Sequence, residues 1–202
     1  PGSYLVATAH RAGNVDRPER LQKLVDLLAA MPQPVVFPVH PRTRLRLEEA
    51  GLTERLADVR LVSPIGYLDF LKLVSNAQLV MTDSGGIQEE TTVLGVPCIT
   101  LRTSTERPAT IEEGTNQLVG LDPERIVGAV ERALRAENTT HRIPELWDGH
   151  FPVAAWWWSA HVRIVSSVRG GRASWFRTPR SAAPERSGTH VRAAAVVGTS
   201  RR

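Results

Sequence analysis

Leu79-Val-Met-Thr-Asp-Ser-Gly-Gly-Ile-Gln-Glu-Glu-Thr-Thr-Val-Leu94 decides the fold. Its first four residues form a short apolar run of the kind that makes a buried strand. Two glycines follow, and from Ile87 the apolar residues recur at helical spacing. A strand that turns through Ser-Gly-Gly into a helix leaves backbone N–H groups unpaired at the helix start. The positive end of the helix dipole points to the same place, which is anion-binding geometry. Gly85 and Gly86 have no Cβ to hold a phosphate away from the backbone, although an ordinary strand-to-helix turn uses the same residues. Glu90 adds a second feature. It lies one helical turn beyond Gly86, where a carboxylate can accept both hydroxyls of a ribose while the glycines hold phosphates.

Outward from this segment the chain alternates. The pattern predicts strands at Tyr4–Ala9, Val35–Val39, Val59–Val62, Leu79–Thr82 and Pro97–Leu101, with a short extended piece at Gln117–Val119. Between them it predicts helices over Arg17–Met31, Arg42–Ala50, Tyr67–Ser75 and from Ile87 onward, and a last one opening at Asp122-Pro-Glu and running to Ala136. Asp16 has the composition of a cap for the first helix, whose apolar face is Leu21, Leu24, Val25 and Leu28. Strands alternating with helices mean βαβ units and a parallel sheet, an α/β fold. Ligands of such sheets gather outside the carboxyl ends of the strands. His10, His40, Ser84 and Arg102 all fall just past predicted strand ends.

Composition bounds the class. With 202 residues and 42% hydrophobic content, the chain suits one globular core, or a core plus a tail. No apolar run approaches the roughly 18 residues of a membrane span, and no basic-then-apolar leader opens the sequence. The expectation is a protein with no membrane partner, and Pro1 in place of Met suggests a fragment. The single cysteine excludes an internal disulfide and suits a cytoplasmic location; in Pro97-Cys-Ile-Thr-Leu101 it reads as a small core residue. Six scattered histidines give no metal-ligand spacing, and no Ser-His-Asp order is present. The net charge of +4 is uneven. Residues 1–149 hold 16 Lys/Arg and 20 Asp/Glu, a net of −4, whereas residues 150–202 hold 9 Arg and one acid, a net of +8. The basic balance belongs to the tail, and no nucleic-acid partner is expected.

Five ordered motifs carry a resemblance. Ala9-His-Arg11 with Asn14, Val39-His-Pro41, Ser84-Gly-Gly-Ile-Gln-Glu-Glu90, Thr105-Glu-Arg-Pro108 and Gly114-Thr-Asn116 resemble the non-hydrolysing UDP-N-acetylglucosamine 2-epimerases, over about Tyr4–Trp147. The resemblance implies a Rossmann-like parallel sheet flanked by helices, equivalent to the C-terminal domain of a GT-B-type two-domain fold. It implies a UDP-sugar substrate, no cofactor, a homodimeric full-length parent and a place in polysaccharide biosynthesis. It implies inversion at C2 of the sugar through loss and re-addition of UDP. His10 is then the catalytic candidate at the diphosphate. Arg11, Phe70 over the uracil, Ser84, Gly85, Gly86, Glu90 at the ribose and Arg107 at the diphosphate are the substrate-binding candidates. Arg107 suits that role because its fork bonds two oxygens at once; a surface pair with Glu106 or Glu112 is its structural alternative. His40 shapes the cleft floor. Gly13 departs from the family, where a glutamate is common. The family's proton-transferring carboxylates belong to a preceding domain, so this chain alone is expected to be inactive. A GT-B glycosyltransferase donor domain and a non-catalytic remnant are the alternatives; His10-Arg11 together with Thr105-Glu-Arg-Pro108 favours the epimerases.

The domain division expected is a UDP-binding unit over 1–149 and a basic tail over 150–202. Trp156-Trp-Trp158 and the Arg-, Ser-, Ala- and Gly-rich residues after it lack helical or strand periodicity, as an out-of-frame reading of a GC-rich gene would. Removing residues 150–202 should leave the melting temperature of the core nearly unchanged and raise its solubility, because an aromatic cluster without an amphipathic frame favours association. Thermal melts and sedimentation of the two lengths check this. A drop of several degrees on truncation would show instead that the tail packs on the core.

Overall fold

The computed structural model describes residues 2–135, 142–145 and 147. Six strands form one all-parallel sheet: β1 (Leu5–Thr8), β2 (Val35–Pro38), β3 (Val59–Val62), β4 (Leu79–Thr82), β5 (Cys98–Thr100) and β6 (Asn116–Leu118). Their order is β3-β2-β1-β4-β5-β6. Chain order therefore reverses between β1 and β4, whose residues pair from Leu5 with Leu79 to Thr8 with Thr82. In an open parallel sheet, the crevice beyond the carboxyl ends of two such strands is where ligands bind.

Both faces of the sheet are covered, which is why its central strands read as continuous apolar runs. Successive side chains separate cleanly. Leu5, Ala7, Leu79 and Met81 join one core cluster with α2 (Pro18–Ala29), α3 (Pro41–Glu49) and α7 (Pro123–Arg135). Val6 and Val80 join the other with α4 (Tyr67–Ser75) and α5 (Gly85–Leu94). Cys98 is a buried core residue, and burial pushes its thiol up to about 12. Two four-residue helices, α1 (Ala12–Val15) and α6 (Ala109–Glu112), and a 3-10 turn at Thr53–Leu56 complete the described elements.

Local chemistry sets the boundaries. α5 ends where Gly95 takes φ 68°, a left-handed conformation that spares an L side chain from strain, and the Val96 N–H returns to the Thr91 carbonyl at 3.0 Å. α7 opens with Pro123 in its first turn while the Asp122 carboxylate accepts from the Arg125 N–H at 3.2 Å. The start of α2 departs from the expected cap. Arg17 occupies the capping position with no side-chain bond, and Asp16 closes α1 instead. The Asp16 carboxylate is committed to Arg42, with Arg46 at 3.5 Å, and Arg42 holds it below the usual carboxylate range. The helices expected to reach Met31 and Ala50 stop at Ala29 and Glu49.

Residue 136 and the tail from 150, including its expected frameshift, lie outside the described residues. Near the end, Arg142 donates its backbone N–H to the Glu113 carbonyl at 2.7 Å, and Trp147 packs against the α4–α5 core cluster. Phe37 is fully buried in the centre of the other cluster. Phe37→Ala should lower the unfolding free energy by about 3–5 kcal/mol in a urea titration, and Gly95→Ala by about 1–2 kcal/mol through its left-handed backbone alone.

Candidate functional site

The crevice between β1 and β4 is built on Asp83, which follows β4 and is fully buried. Its carboxylate accepts from the His10 N–H at 3.2 and 3.1 Å and from the Arg11 N–H at 2.9 Å. It also accepts from Asn14 Nδ2 at 3.1 Å, while His10 Nδ1 lies 3.4 Å from it. Asn14 Nδ2 reaches the Leu101 carbonyl at 3.1 Å as well. One carboxylate thus ties the turn after β1 to the turn after β4, and the amide it holds reaches the end of β5. The hydroxyls of Thr8 and Thr82, 2.7 Å apart, seal the two strands just behind it. His10 stands at the rim with its side chain 43% exposed, and its ring lies 5.9 Å from that of His40. His40 caps α3, its Nδ1 accepting from the Arg42 N–H at 3.2 Å.

The second half of the site hangs on Gln88, which is fully buried on α5. Its Nε2 donates to the Ser84 carbonyl at 3.2 Å. Its Oε1 accepts from the Thr105 hydroxyl at 2.6 Å and from Asn116 Nδ2 at 3.2 Å. Asn116 also donates to the Thr110 hydroxyl at 3.0 Å and accepts from the Thr100 hydroxyl at 2.6 Å. One buried amide pair therefore joins three of the motifs found in sequence. Thr105 accepts from the Arg107 N–H at 3.0 Å, and the Thr110 hydroxyl donates to the Arg107 carbonyl at 2.7 Å, which fixes where the Arg107 backbone stands. Gly114 is squeezed beneath this network, since a Cβ there would lie 2.4 Å from the Thr92 hydroxyl and 2.5 Å from the Thr110 carbonyl.

The start of α5 lies beside Glu106 and Arg107. Ser84 occupies the capping position without capping the helix through its side chain, and its N–H is taken by the Thr82 hydroxyl at 3.0 Å. The two glycines differ. A Cβ on Gly85 would lie 2.9 Å from Glu106 Oε1, whereas a Cβ on Gly86 would meet nothing within 4 Å. A side chain at Gly85 would push against the tip of Glu106, whereas Gly86 faces open space.

Charges around this point close in pairs. Glu106 accepts from Arg11 at 3.0 Å and from Arg102 at 2.7 Å, and Arg102 above all draws its carboxyl down to about 2. Arg107 Nε lies 2.9 Å from Glu89 Oε1, so neither Glu106 nor Glu112 is its partner. Burial raises the Glu89 carboxyl to about 7, with Arg107 opposing and Glu106 adding to the rise. Burial likewise raises Glu90 to about 7, against a hydrogen bond from Tyr67. A cleft of about 350 Å³ opens here between Glu89, Glu106, Arg107, Pro108, Ala109 and Trp147.

Seven of the eight residues read from the sequence, His10, Arg11, Ser84, Gly85, Gly86, Glu90 and Arg107, thus come to one edge of the sheet. Phe70 is the eighth, partly buried against the α4–α5 core, and the aromatic bonded to Glu90 is Tyr67, one turn earlier on α4. Asp83, Gln88 and Glu89 escaped the sequence reading. Asp83 was signalled by a charged residue closing a buried strand, and Gln88 by its spacing of one turn from Ser84. Nothing in the sequence signalled the Glu89–Arg107 pair. Among the described residues no three His, Cys, Asp or Glu side chains are grouped as a metal site, and no helix is long and apolar enough to cross a membrane.

A family model described as UDP-N-acetylglucosamine 2-epimerase matches residues 1–151. The UDP-N-acetylglucosamine 2-epimerase of Methanocaldococcus jannaschii is 47% identical over 142 residues, which are 67% of this chain and 39% of that protein. The UDP-2,3-diacetamido-2,3-dideoxy-D-glucuronate 2-epimerase of Pseudomonas aeruginosa is 40% identical over 134 residues, 65% of this chain and 37% of that protein. A crystal structure of the M. jannaschii UDP-GlcNAc 2-epimerase in complex with UDP-GlcNAc and UDP superposes with a TM-score of 0.63 at 38% identity, covering 83% of this chain and 45% of that one. The chain therefore spans less than half the length of these relatives. Strand order, site geometry and matched residues lead to one statement: this chain belongs to the UDP-N-acetylglucosamine 2-epimerase family.

Proposed function

We propose that residues 1–149 form the UDP-binding half of a UDP-N-acetylglucosamine 2-epimerase, an enzyme that interconverts UDP-GlcNAc and UDP-ManNAc. The observation that carries this reading is the convergence of two separate networks on one place. Asp83 sets His10 and Arg11 at the end of β1, and Gln88 sets the Arg107 loop beside the start of α5. Between them stand helix N–H groups, an imidazole and two guanidinium groups, donors suited to a diphosphate.

The chemistry follows from where the charge goes. The C2–H bond and the bond from C1 to UDP break, a C1–C2 double bond forms, and UDP leaves with its negative charge. Re-addition of UDP, with a proton delivered to the opposite face of C2, completes the inversion. His10 and Arg107 stabilise the departing diphosphate, and a charge so held lowers the barrier in both directions. Gly86 brings backbone to the phosphates with the Ser84 hydroxyl beside it, Arg11 stands behind them through Glu106, Glu90 takes the ribose hydroxyls and Phe70 the uracil. No carboxylate of this half is assigned the proton at C2. That step belongs to the remaining length of the relatives, so this chain binds UDP and does not turn over. The whole parent acts in the cytoplasm as a homodimer and supplies an amino sugar for a surface polysaccharide.

Calorimetry tests the reading. The chain should bind UDP weakly, since closure by a second domain normally completes such a site; a folded chain giving no heat with UDP would refute it. Arg107→Ala should weaken UDP roughly ten- to a hundredfold, corresponding to about 1.5–3 kcal/mol for a charge-assisted contact, and leave uridine nearly unaffected. Equal losses for both ligands would overturn its placement at the diphosphate. Glu90→Gln should weaken both ligands alike, because both carry the ribose. Gly86→Ala separates binding from stability. Its Cβ meets no protein atom within 4 Å, so the melting temperature should hold while UDP affinity falls at least several-fold.

A further inference from the structure

Glu89 has no part in the assignments above, yet its surroundings are unusual. Its side chain is only 9% exposed, and it meets Arg107 through one guanidinium nitrogen, Nε, at 2.9 Å. An arginine fork has two edges. The contact is an ion pair at Nε, and among the described residues neither terminal nitrogen of Arg107 pairs with another side chain, so both stay available to a second acceptor. The Arg107 backbone is already fixed through Thr105 and Thr110, so the remaining freedom of that residue lies in its long side chain. The other acids nearby do not compete for this task, since Glu106 is engaged by Arg11 and Arg102, and Glu90 by Tyr67.

We infer that Glu89 is a positioning residue: its buried carboxylate holds Arg107 at Nε through an ion pair and so keeps the terminal nitrogens turned to the diphosphate of a UDP-sugar. The inference rests on the proposed diphosphate role of Arg107 and goes one residue beyond it. The groups facing Glu89 are Arg107 and Glu106 from the loop before α6 and Glu90 beside it on α5. Burial above all, with Glu106, disfavours its charge while Arg107 favours it, which leaves the carboxyl at about 7. Grip therefore depends on pH. Protonated Glu89 holds Arg107 weakly, and ionised Glu89 holds it firmly. Affinity for a diphosphate should rise as pH rises through about 7.

The test compares UDP-GlcNAc, whose two phosphates carry no proton that titrates near neutral pH, with uridine, which lacks phosphate but shares the Glu90 contact. Binding of each to the full chain is measured by calorimetry from pH 6 to pH 8.5. The ratio of UDP-GlcNAc to uridine affinity should climb several-fold across this range, the most that one linked proton allows being about tenfold per pH unit. Glu89→Gln should lower UDP-GlcNAc affinity roughly tenfold at pH 8 and flatten the ratio, with uridine nearly unchanged, and Glu89→Asp should restore part of the slope. If Glu89→Gln fails to fold, the slope of the unsubstituted chain still decides. A flat ratio in the unsubstituted chain, or a slope that survives in Glu89→Gln, overturns the inference and leaves the UDP site standing. A falling ratio overturns it too, because Glu89 would then be a competitor that phosphate displaces. No binding of UDP-GlcNAc or uridine to the folded chain overturns both the inference and the proposed function.

Discussion

The whole edge of the sheet depends on the buried carboxylate of Asp83. An ionised group without water costs many kcal/mol unless its oxygens are bonded, and here backbone and amide N–H groups from His10, Arg11 and Asn14 converge on them. Because two of these donors are backbone, the carboxylate dictates the path of the chain after β1, whatever the side chains there do. Asn14 then extends the constraint to Leu101 at the end of β5. Three strand ends are held in one frame by a single side chain and the amide it organises. His10 gains its place at the rim as a consequence of that backbone path, so its position needs no contact of its own with a ligand.

From this frame the site divides into a neutral part and a charged part. Gln88, Thr105, Asn116, Thr100 and Thr110 carry no charge, and each hydrogen-bonded partner lies in the protein, so the network sets distances without adding to the potential of the cleft. The charged part is a set of closed pairs, Arg11 and Arg102 on Glu106 and Arg107 on Glu89. Closed pairs keep long guanidinium side chains ordered at the cleft. Their drawback is that an arriving anion meets cations already partly satisfied, which sets a premium on which edge of each guanidinium the protein leaves open.

The fold was legible because its causes are local. Strands buried on both faces give unbroken apolar runs, helices give apolar spacing, and the Ser84-Gly-Gly turn marked the passage from β4 into α5. What stayed hidden had distant causes. Asp16 has the composition of a helix cap, but Arg42 and Arg46 on α3 claim its carboxylate, and a partner 26 residues away leaves no periodic trace. The four-residue helices α1 and α6 are too short to show a period. Arg107 could be read as an anion-binding arginine, but its pairing with Glu89 depends on where the Thr105–Gln88 bond holds the loop. Phe70 was read as cover for a ligand, and only the packing of α4 on α5 shows that Tyr67, one turn earlier, is the aromatic that reaches Glu90.

Helix α5 is buried from Gln88 to Leu94 as well as at Gly85, an unusual state for a helix at the edge of a binding cleft. Its side chains answer at once to the core, to the loops they suspend and to the cleft they border. A substitution there perturbs several requirements together, so inherited change or a directed-evolution library would find few acceptable neighbours along it. Exposed residues such as Ile65 and Leu68 answer to fewer of these requirements and have more room to change. In this architecture the helix that borders the cleft is the part least free to drift, and change has to be written around it.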